Sequence, residues 1–487
     1  MDEKNEILPD RNQPQGENKK DAVKNRSEKM GVMPMGKLII TMSLPAMISM
    51  LVQALYNVVD SMFVSAIGGT AAERALDAVS IAFPFQLLYM AFALGIAVGS
   101  NSLIARHLGE GDRYSASKVA STGLVVSLAH CAVFMILGAT AIRPVARLFT
   151  GDEETVDMVV SYLSVCMIFS FGMYVEVFVN KVNQAMSRMT IPMVSQLIGA
   201  ITNIILDPVF IFAFKMGVTG AAVATVIGQI FAMIFTVITF AVKKSEVSIS
   251  PKFVRMKGRT IVNIYKIGLP TIILNAIGSF TIMAMNGILR YFRSKYGITI
   301  LGVYFKVQSF VFMPCFGLNQ GILPILAYNY GANKKDRFYK AFRIALTVAT
   351  VIMAVGFTLF QTVSRYILSV FGSISANEEM LEKAVSAFRI ISVSFLPAGL
   401  SVITITMFQS IGKGVSSMFM SVLRQVGVLL PAAFLLSLLA GVDLIWWSYP
   451  IAEIVVIVIF FPLALKTIKK VFYEKERAVN TEAVNAA

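Results

Sequence analysis

Four carboxylates stand inside long apolar stretches of this sequence: Asp60, Glu176, Asp207 and Glu453. A charge near the middle of a bilayer costs at least ~2.5–3.5 kcal/mol on insertion scales, so each of these side chains needs a partner or a function. Three of the four lie in the first half of the chain. We therefore expect any ion chemistry to take place in that half.

Asp60 lies in an apolar stretch, 38–67, that is long enough to cross a hydrocarbon core of ~30 Å, which takes about 20 helical residues. Gln53, Tyr56 and Asn57 precede it at helical spacings, which places four polar side chains on one helix face. Because lipid cannot satisfy such groups, the stripe is predicted to face protein or a water-filled cavity. Gln53, Tyr56 and Asn57 are thus candidates for contact with a substrate.

Asp207 has Asn203 one helical turn before it, and Pro208 after it, which cannot donate the usual backbone hydrogen bond. Counting residues from the predicted span ends places Asp60, Asp207 and Thr225 at one depth, roughly 10 Å from the outer surface. These side chains could meet in one pocket. Two carboxylates in a poorly solvated pocket raise each other's proton affinity, while the same oxygens suit Na⁺, so the pattern allows either ion.

A second polar face is formed by Glu176, Asn180 and Gln184, which follow one another at intervals of four residues in the fourth apolar stretch. Their place in the chain puts them nearer the inner surface. The pattern allows two interpretations: a group that lines the substrate cavity, or a cluster at the membrane interface.

Glu453, in the last apolar stretch, is predicted to form a structural ion pair with Lys306 or Arg424. We interpret these two as the only basic residues deep inside the spans. Three cysteines and two histidines occur, at no metal-like spacing. No phosphate-binding loop, zinc-protease motif or nucleophile elbow is found, so we expect neither an enzyme nor a cofactor, and no metal beyond a coupling Na⁺.

The composition is that of a polytopic membrane protein, with 56% hydrophobic residues, 15% charged residues and a mean hydropathy of +0.72. The net charge of +15 does not indicate nucleic acid, because the basic residues lie between the apolar stretches instead of on one surface. Alternate connections carry most of the 43 Lys and Arg residues, which predicts that both termini are cytoplasmic. A multi-pass location in a membrane is expected.

The hydropathy pattern predicts an all-α protein with twelve transmembrane helices in two bundles of six. The predicted spans are 38–67, 76–105, 117–141, 157–181, 190–213, 218–242, 262–289, 299–328, 340–361, 383–408, 414–439 and 445–467. The predicted parts are a disordered cytoplasmic tail (1–36), a first bundle (37–242), a basic cytoplasmic linker (243–259), a second bundle (260–468) and a cytoplasmic tail (469–487).

The two sets of six spans repeat each other. Several pairs recur in register: Ser43-Leu44-Pro45 with Gly268-Leu269-Pro270, Phe83 with Phe305, Gln86 with Gln308, Gly95 with Gly317, Gly99 with Gly321, Gly109 with Gly331, and Gln184 with Gln409. Since six is an even number, both halves have the same orientation and are related by an axis along the membrane normal. A repeat of this kind is typical of transporters, in which one half rocks against the other.

Several segments resemble the multidrug and toxin extrusion (MATE) family of transporters over about residues 34–470. They are SLPAM at 43–47, LYNVVD ending at Asp60, the glycine pairs Gly99/Gly109 and Gly321/Gly331, NIILDPVFIF from Asn203, and PIAEIVVIV from Pro450. Within that family the chain is most similar to the MepA-like and DinF-like branch.

The resemblance implies a V-shaped twelve-helix fold that exports bulky, lipophilic, often cationic compounds in exchange for protons or sodium. It also implies ion coupling at Asp60, Asn203, Asp207 and Thr225, with Asn180 added. Membrane lipid is an expected partner, and no obligatory protein partner or nucleic acid is expected. Two alternatives stay open: a flippase for lipid-linked saccharides of the same superfamily, which needs several cations in its cavity, and a membrane-embedded enzyme.

Overall fold

The computed structural model describes residues 27–65, 69–243, 245–254, 258–369, 371, 374 and 377–486. At 57–58, 60–62, 64–65, 69–77, 80 and 478–486 it describes the backbone alone. The side chains of Asn57 and Asp60 therefore lie outside the described residues. Within the described ranges every regular element is a helix.

The first half contains nine helices within those ranges. They are α1 (Lys29–Val32), α2 (Met35–Ser65), α3 (Gly69–Gly109), α4 (Arg113–Thr140), α5 (Ile142–Ala146), α6 (Glu153–Ile168), α7 (Phe171–Ala185), α8 (Thr190–Pro208) and α9 (Val218–Val242). A wider π-helical turn, Val209–Ala213, continues α8 beyond Pro208. A short 3₁₀ turn, Pro251–Phe253, lies in the linker between the halves.

The second half repeats this order over the described residues. Its helices are α10 (Gly258–Tyr291), α11 (Gly297–Gly331), α12 (Lys335–Thr362), α13 (Ser364–Ser369), α14 (Glu378–Ser392), α15 (Phe395–Ser410), α16 (Gly414–Val422), α17 (Leu430–Ala440) and α18 (Ser448–Ala486). A π-helical segment, Leu423–Leu429, joins α16 to α17, and a 3₁₀ turn, Val442–Trp447, precedes α18.

Twelve membrane spans account for these helices. Ten described segments are long and apolar enough to cross a bilayer alone, and two bent pairs complete the set. The pairs are α6 with α7 and α14 with α15, each bent by 45°. Both breaks fall in the fourth span of a half, so the repeat extends to this irregularity. The predicted fold class, an all-α protein of twelve transmembrane helices, is confirmed.

We call one side of the molecule the basic face. It contains α1, the connections 110–112, 186–189, 332–334 and 411–413, and the described part of the linker, 243 and 245–254. Asp112 begins α4 there, since its Oδ1 accepts a hydrogen bond from the Ser115 backbone N–H at 2.9 Å. The hydrogen bonds from Ser115 keep the pKa of the Asp112 carboxyl below its usual range.

The two halves contact each other through glycines that the sequence repeat had paired. Gly99 of α3 packs on Gly268 of α10, and a Cβ at position 99 would lie 3.1 Å from the Gly268 nitrogen. Gly321 of α11 packs on Ser43 of α2, and a Cβ at position 321 would lie 2.7 Å from the Ser43 Cα. Because Gly99 answers Gly321 and Ser43 answers Gly268, this is one contact made twice across a pseudo-twofold axis.

A reciprocal contact of the same kind is made at the ends of α3 and α11. A Cβ on Gly109 would collide with the carbonyl group of Tyr328, and a Cβ on Gly331 would collide with the carbonyl group of Arg106. All of these contacts lie toward the basic face, since Gly109 and Gly331 are the last residues of their helices. The halves are therefore packed together at the basic face.

Parts of the two segments that the sequence predicts as tails are ordered in the structure. Met30 is fully buried, and its carbonyl oxygen accepts a hydrogen bond from Asn329 Nδ2 at 3.0 Å. Helix α18 continues past residue 469, where Phe472 is buried and Lys475 Nζ donates to the Tyr330 carbonyl oxygen at 2.7 Å. The polar composition of these two segments predicts disorder, but a few apolar residues in each segment pack against α11.

Candidate ion-coupling site

One polar site of the first half lies between α8 and α9. Gly228 of α9 packs on the Gly199 carbonyl oxygen of α8, where a Cβ on Gly228 would lie 2.7 Å away. This close approach brings the polar residues of both helices within hydrogen-bonding distance. Asn203 and Asp207 follow Gly199 at intervals of four, so all three lie on the face of α8 that meets α9.

Asp207 is fully buried in this site, at 0% exposure. Asn203 Nδ2 donates to Asp207 Oδ1 at 3.2 Å and to Thr225 Oγ1 at 3.1 Å. An amide nitrogen has two hydrogens, so Asn203 can make both bonds at once. The structure thus brings together Asn203, Asp207 and Thr225, as the depth estimate from sequence expected, while their role in ion binding stays a prediction.

The fourth predicted member, Asp60, belongs to α2, which packs against α8. The Asp60 and Asn57 side chains lie outside the described residues, so their place in the site stays a prediction. Gln53 and Tyr56, on the same helix, are both partly buried.

Asn180 belongs to a different cluster, which changes the grouping that the family resemblance implied. Its Nδ2 donates to Glu176 Oε1 at 2.8 Å, one turn earlier on α7, and its Oδ1 accepts from Thr236 Oγ1 at 3.3 Å. Ser195 Oγ lies 2.9 Å from Glu176 Oε1 and 2.8 Å from Thr236 Oγ1. Asn180 and Glu176 thus form one hydrogen-bonded cluster with Ser195 and Thr236, and all four residues are buried.

Gln184 faces the other half of the protein. Its Nε2 donates to Gln320 Oε1 of α11 at 3.2 Å, and its Oε1 accepts from Lys181 Nζ at 2.9 Å. Lys181 Nζ also donates to Gln320 Oε1 at 2.9 Å. Eight residues along a helix rotate a side chain by about 80°, which is why Gln184 does not join the Glu176 cluster.

Lys181 corrects the expectation that Lys306 and Arg424 are the only basic residues deep in the spans. Its side chain is buried at 7% exposure, between the halves, with two neutral amide oxygens as partners. Lys306 is exposed. Arg424 Nη1 contacts Glu453 Oε1 at 2.9 Å, which is the ion pair that the sequence predicted as one of two choices.

Sequence reasoning also missed Ser195, Thr236 and Gln320. A signal for the first was present, because Ser195 and Gly199 precede Asn203 and Asp207 at intervals of four on α8. Small and polar residues at that interval indicate a face that packs closely on another helix. No such signal exists for Gln320, whose partners are 136, 139 and 270 residues away in the chain.

Fold and site together define a multi-pass membrane protein of two repeated six-helix halves, with buried carboxylates in the first half. A family model described as MatE matches residues 45–209 and again residues 270–435, once in each half. The chain belongs to the MatE family.

Similar curated proteins are the multidrug export proteins MepA of staphylococci. The protein of Staphylococcus aureus (strain bovine RF122 / ET3-1) is 27% identical over 421 residues, which are 86% of this chain and 91% of the relative. The protein of Staphylococcus saprophyticus is 25% identical over 411 residues, which are 84% and 89% of the two chains.

Solved structures share the fold. A MATE structure in complex with MaL6 has a TM-score of 0.87 at 23% identity, covering 91% of this chain and 99% of that one. A MOP-superfamily transporter from Pyrococcus furiosus has a TM-score of 0.86 at 23% identity, covering 91% and 98%. At this identity the likeness extends to the fold alone.

Proposed function

We propose that this protein is an ion-coupled efflux antiporter of a bacterial plasma membrane, with both termini in the cytoplasm. It exports lipophilic, often cationic compounds in exchange for protons or sodium ions. The observation that supports this most is Asp207, a fully buried carboxylate that the Asn203 amide holds between two closely packed helices. The similarity to proteins that are described as multidrug export proteins agrees with it.

Binding of the coupling ion changes what Asp207 can do. The ionised carboxylate only accepts hydrogen bonds, so it matches the N–H that Asn203 offers. A proton makes the carboxyl group neutral and gives it a donor, while a sodium ion draws the carboxylate, the Asn203 carbonyl and the Thr225 hydroxyl around itself. Either event rearranges the contact between α8 and α9.

The contact between α8 and α9 is linked to the interface between the halves through one intervening helix, α2. Helix α8 packs against α2, and α2 packs against α11 of the other half at Ser43 and Gly321. A change in the tilt of α8 therefore acts on the contact that holds the basic face closed. In the proposed cycle, ion binding from outside favours drug release and the inward-facing state, and a cytoplasmic drug favours the reverse.

The flippase alternative is less well supported by the described cations. A diphosphate needs several cationic groups in the central cavity, but Arg424 is neutralised by Glu453 and Lys306 is exposed. Lys181 adds one buried cation, and two glutamines hold it.

Among the described residues, no three His, Cys, Asp or Glu side chains converge on a metal site.

The test is ethidium flux in proteoliposomes that contain the purified protein. An imposed pH gradient in sodium-free buffer, or a sodium gradient at constant pH, is expected to accelerate flux over the gradient-free control. The gradient that does so identifies the coupling ion. If neither gradient accelerates flux, the antiporter is contradicted and the flippase takes its place.

A further inference from the structure

A cavity of about 690 Å³ opens at the basic face, between the start of α12 and α18. Its lining is Lys335, Asp336, Tyr339, Lys340, Arg343, Ile344 and Lys469. All but Lys469 belong to the first turns of α12, and Lys469 belongs to α18. Four cationic residues thus line the cavity together with a single acid.

Among the residues that the structure describes, one of the four cations in this cavity has an ionic partner. Lys335 Nζ contacts Glu476 Oε1 at 3.2 Å. For Lys340, Arg343 and Lys469, the described residues place no carboxylate oxygen within 4.0 Å. The three side chains are exposed, so their charges are available to a ligand.

The cavity has a rigid base. Phe338 of α12 and Phe472 of α18 are both fully buried, and their rings meet edge to face with centroids 5.3 Å apart. This contact joins the two helices just beside the cationic residues, which fixes the spacing between Lys469 and the residues of α12.

The cavity lies at the boundary between membrane and water. Lys469 is 21 residues after Ser448, the start of α18, so a rise of 1.5 Å per residue places it about 31 Å along the helix, roughly one hydrocarbon thickness. Apolar residues continue on the bilayer side of the cavity. Ile344 lines it, and further into the membrane Val351 and Leu465 are exposed at 57% and 38%.

We propose that this cavity binds the phosphate headgroup of an anionic phospholipid in the leaflet at the basic face. Lysine and arginine at the end of an apolar helix are the groups that recognise such lipids, and the guanidinium of Arg343 suits two phosphate oxygens at once. The acyl chains lie along the exposed apolar surface of α12 and α18. The site is independent of ion coupling, since it lies outside the Asp207 site.

The test measures lipid binding to the purified full chain by native mass spectrometry. Phosphatidylglycerol and phosphatidylcholine with the same acyl chains are titrated in parallel, and glycerol 3-phosphate serves as a soluble phosphate. The wild type is expected to bind phosphatidylglycerol more tightly than the other two. Equal binding of phosphatidylcholine overturns the proposal, and equal binding of glycerol 3-phosphate overturns it in favour of a soluble phosphate ligand.

The decisive variant is K340Q/R343Q/K469Q. Each lost cation is expected to weaken binding of phosphatidylglycerol about 5-fold, and all three together about 100-fold. The matched control, K29Q/K252Q/K413Q, removes three exposed lysines from the same face and is expected to bind within about 2-fold of the wild type. A triple variant that binds like the wild type, or a control that loses as much, contradicts the proposal. R343Q alone, expected to lose about 5-fold, decides the question if the triple variant unfolds.

Discussion

The two halves of this protein have the same helices and the same glycine contacts, yet they hold their buried charges differently. In the second half, Glu453 contacts Arg424 at 2.9 Å and accepts a hydrogen bond from Ser401. In the first half, Asp207 is held by the amide of Asn203, and Glu176 is held by the amide of Asn180 and the hydroxyl of Ser195.

The difference lies in what compensates the charge of the carboxylate. An arginine in contact supplies an opposite charge, so that the pair as a whole is neutral. An amide or a hydroxyl can hold either form of a carboxyl group, so the charge can be gained or lost. The same fold therefore carries an ion pair in one half and carboxyl groups held by neutral hydrogen-bond donors in the other.

The largest expected effect comes from Asp207→Asn. The new amide can still accept the hydrogen bond from Asn203, so the fold is expected to persist while the ionisable group is gone. We expect gradient-driven ethidium flux to fall to the gradient-free rate in proteoliposomes, at unchanged expression. Flux that still responds to the gradient would contradict the proposal that Asp207 binds the coupling ion.

The ion pair of the second half is expected to contribute stability instead of transport. Arg424→Met leaves Glu453 without its cation, and we expect the free energy of unfolding in detergent to fall by about 3 kcal/mol. Since the pair is neutral, R424M/E453L is expected to recover most of that loss and to keep gradient-driven flux. Loss of coupling in a stable double variant would show that the halves do not differ as described.

Lys181→Met tests the contact between the halves. The change removes two hydrogen bonds from a buried ammonium group, one of them to Gln320 across the interface. A loss of about 1.5 kcal/mol makes opening at the basic face about tenfold more frequent. Alkylation of a cysteine at Ser43, in a variant without the three native cysteines, measures this opening. Lys306→Met is the control, and an equal rate in both variants argues against an interface role.

The smallest expected effect comes from Glu176→Gln. The amide oxygen of the new side chain can accept from Asn180 and Ser195, so the cluster is expected to stay folded. The change removes a group that can carry a negative charge, so the attraction of a cationic drug to this half is expected to weaken. We expect the KM for ethidium to rise by about 2- to 4-fold at an unchanged maximal rate. An unchanged KM would make the Glu176 cluster a structural feature only.

Hydropathy and the internal repeat were enough to predict the twelve spans, because both are local properties of the sequence that need no tertiary contact. The residues that the repeat pairs also lie at the interface between the halves, where Gly99 packs on Gly268 and Gly321 packs on Ser43. The pair of Asn203 and Asp207 was predictable from their spacing on one helix, and Thr225 from its depth.

Contacts that join distant segments were beyond such reasoning. Lys181 stands at the predicted end of a span, where a lysine normally reaches water, and its burial depends on Gln320 of the other half. The order at Met30 depends in the same way on Asn329, 299 residues along the chain. The contact of Asn180 with Glu176 was predictable from their spacing of four residues, whereas its contact with Thr236 of α9 was not, and its role in ion coupling stays a prediction.

The most direct test of the account is the affinity for ethidium, measured against pH without sodium and against sodium at constant pH. Drug and coupling ion oppose each other in the proposed cycle, so one of the two ions must weaken ethidium binding by linkage. We predict this dependence in the wild type and in R424M/E453L, and a flat response in Asp207→Asn. If Asp207→Asn keeps the full ion dependence, the coupling site lies elsewhere and the account is wrong.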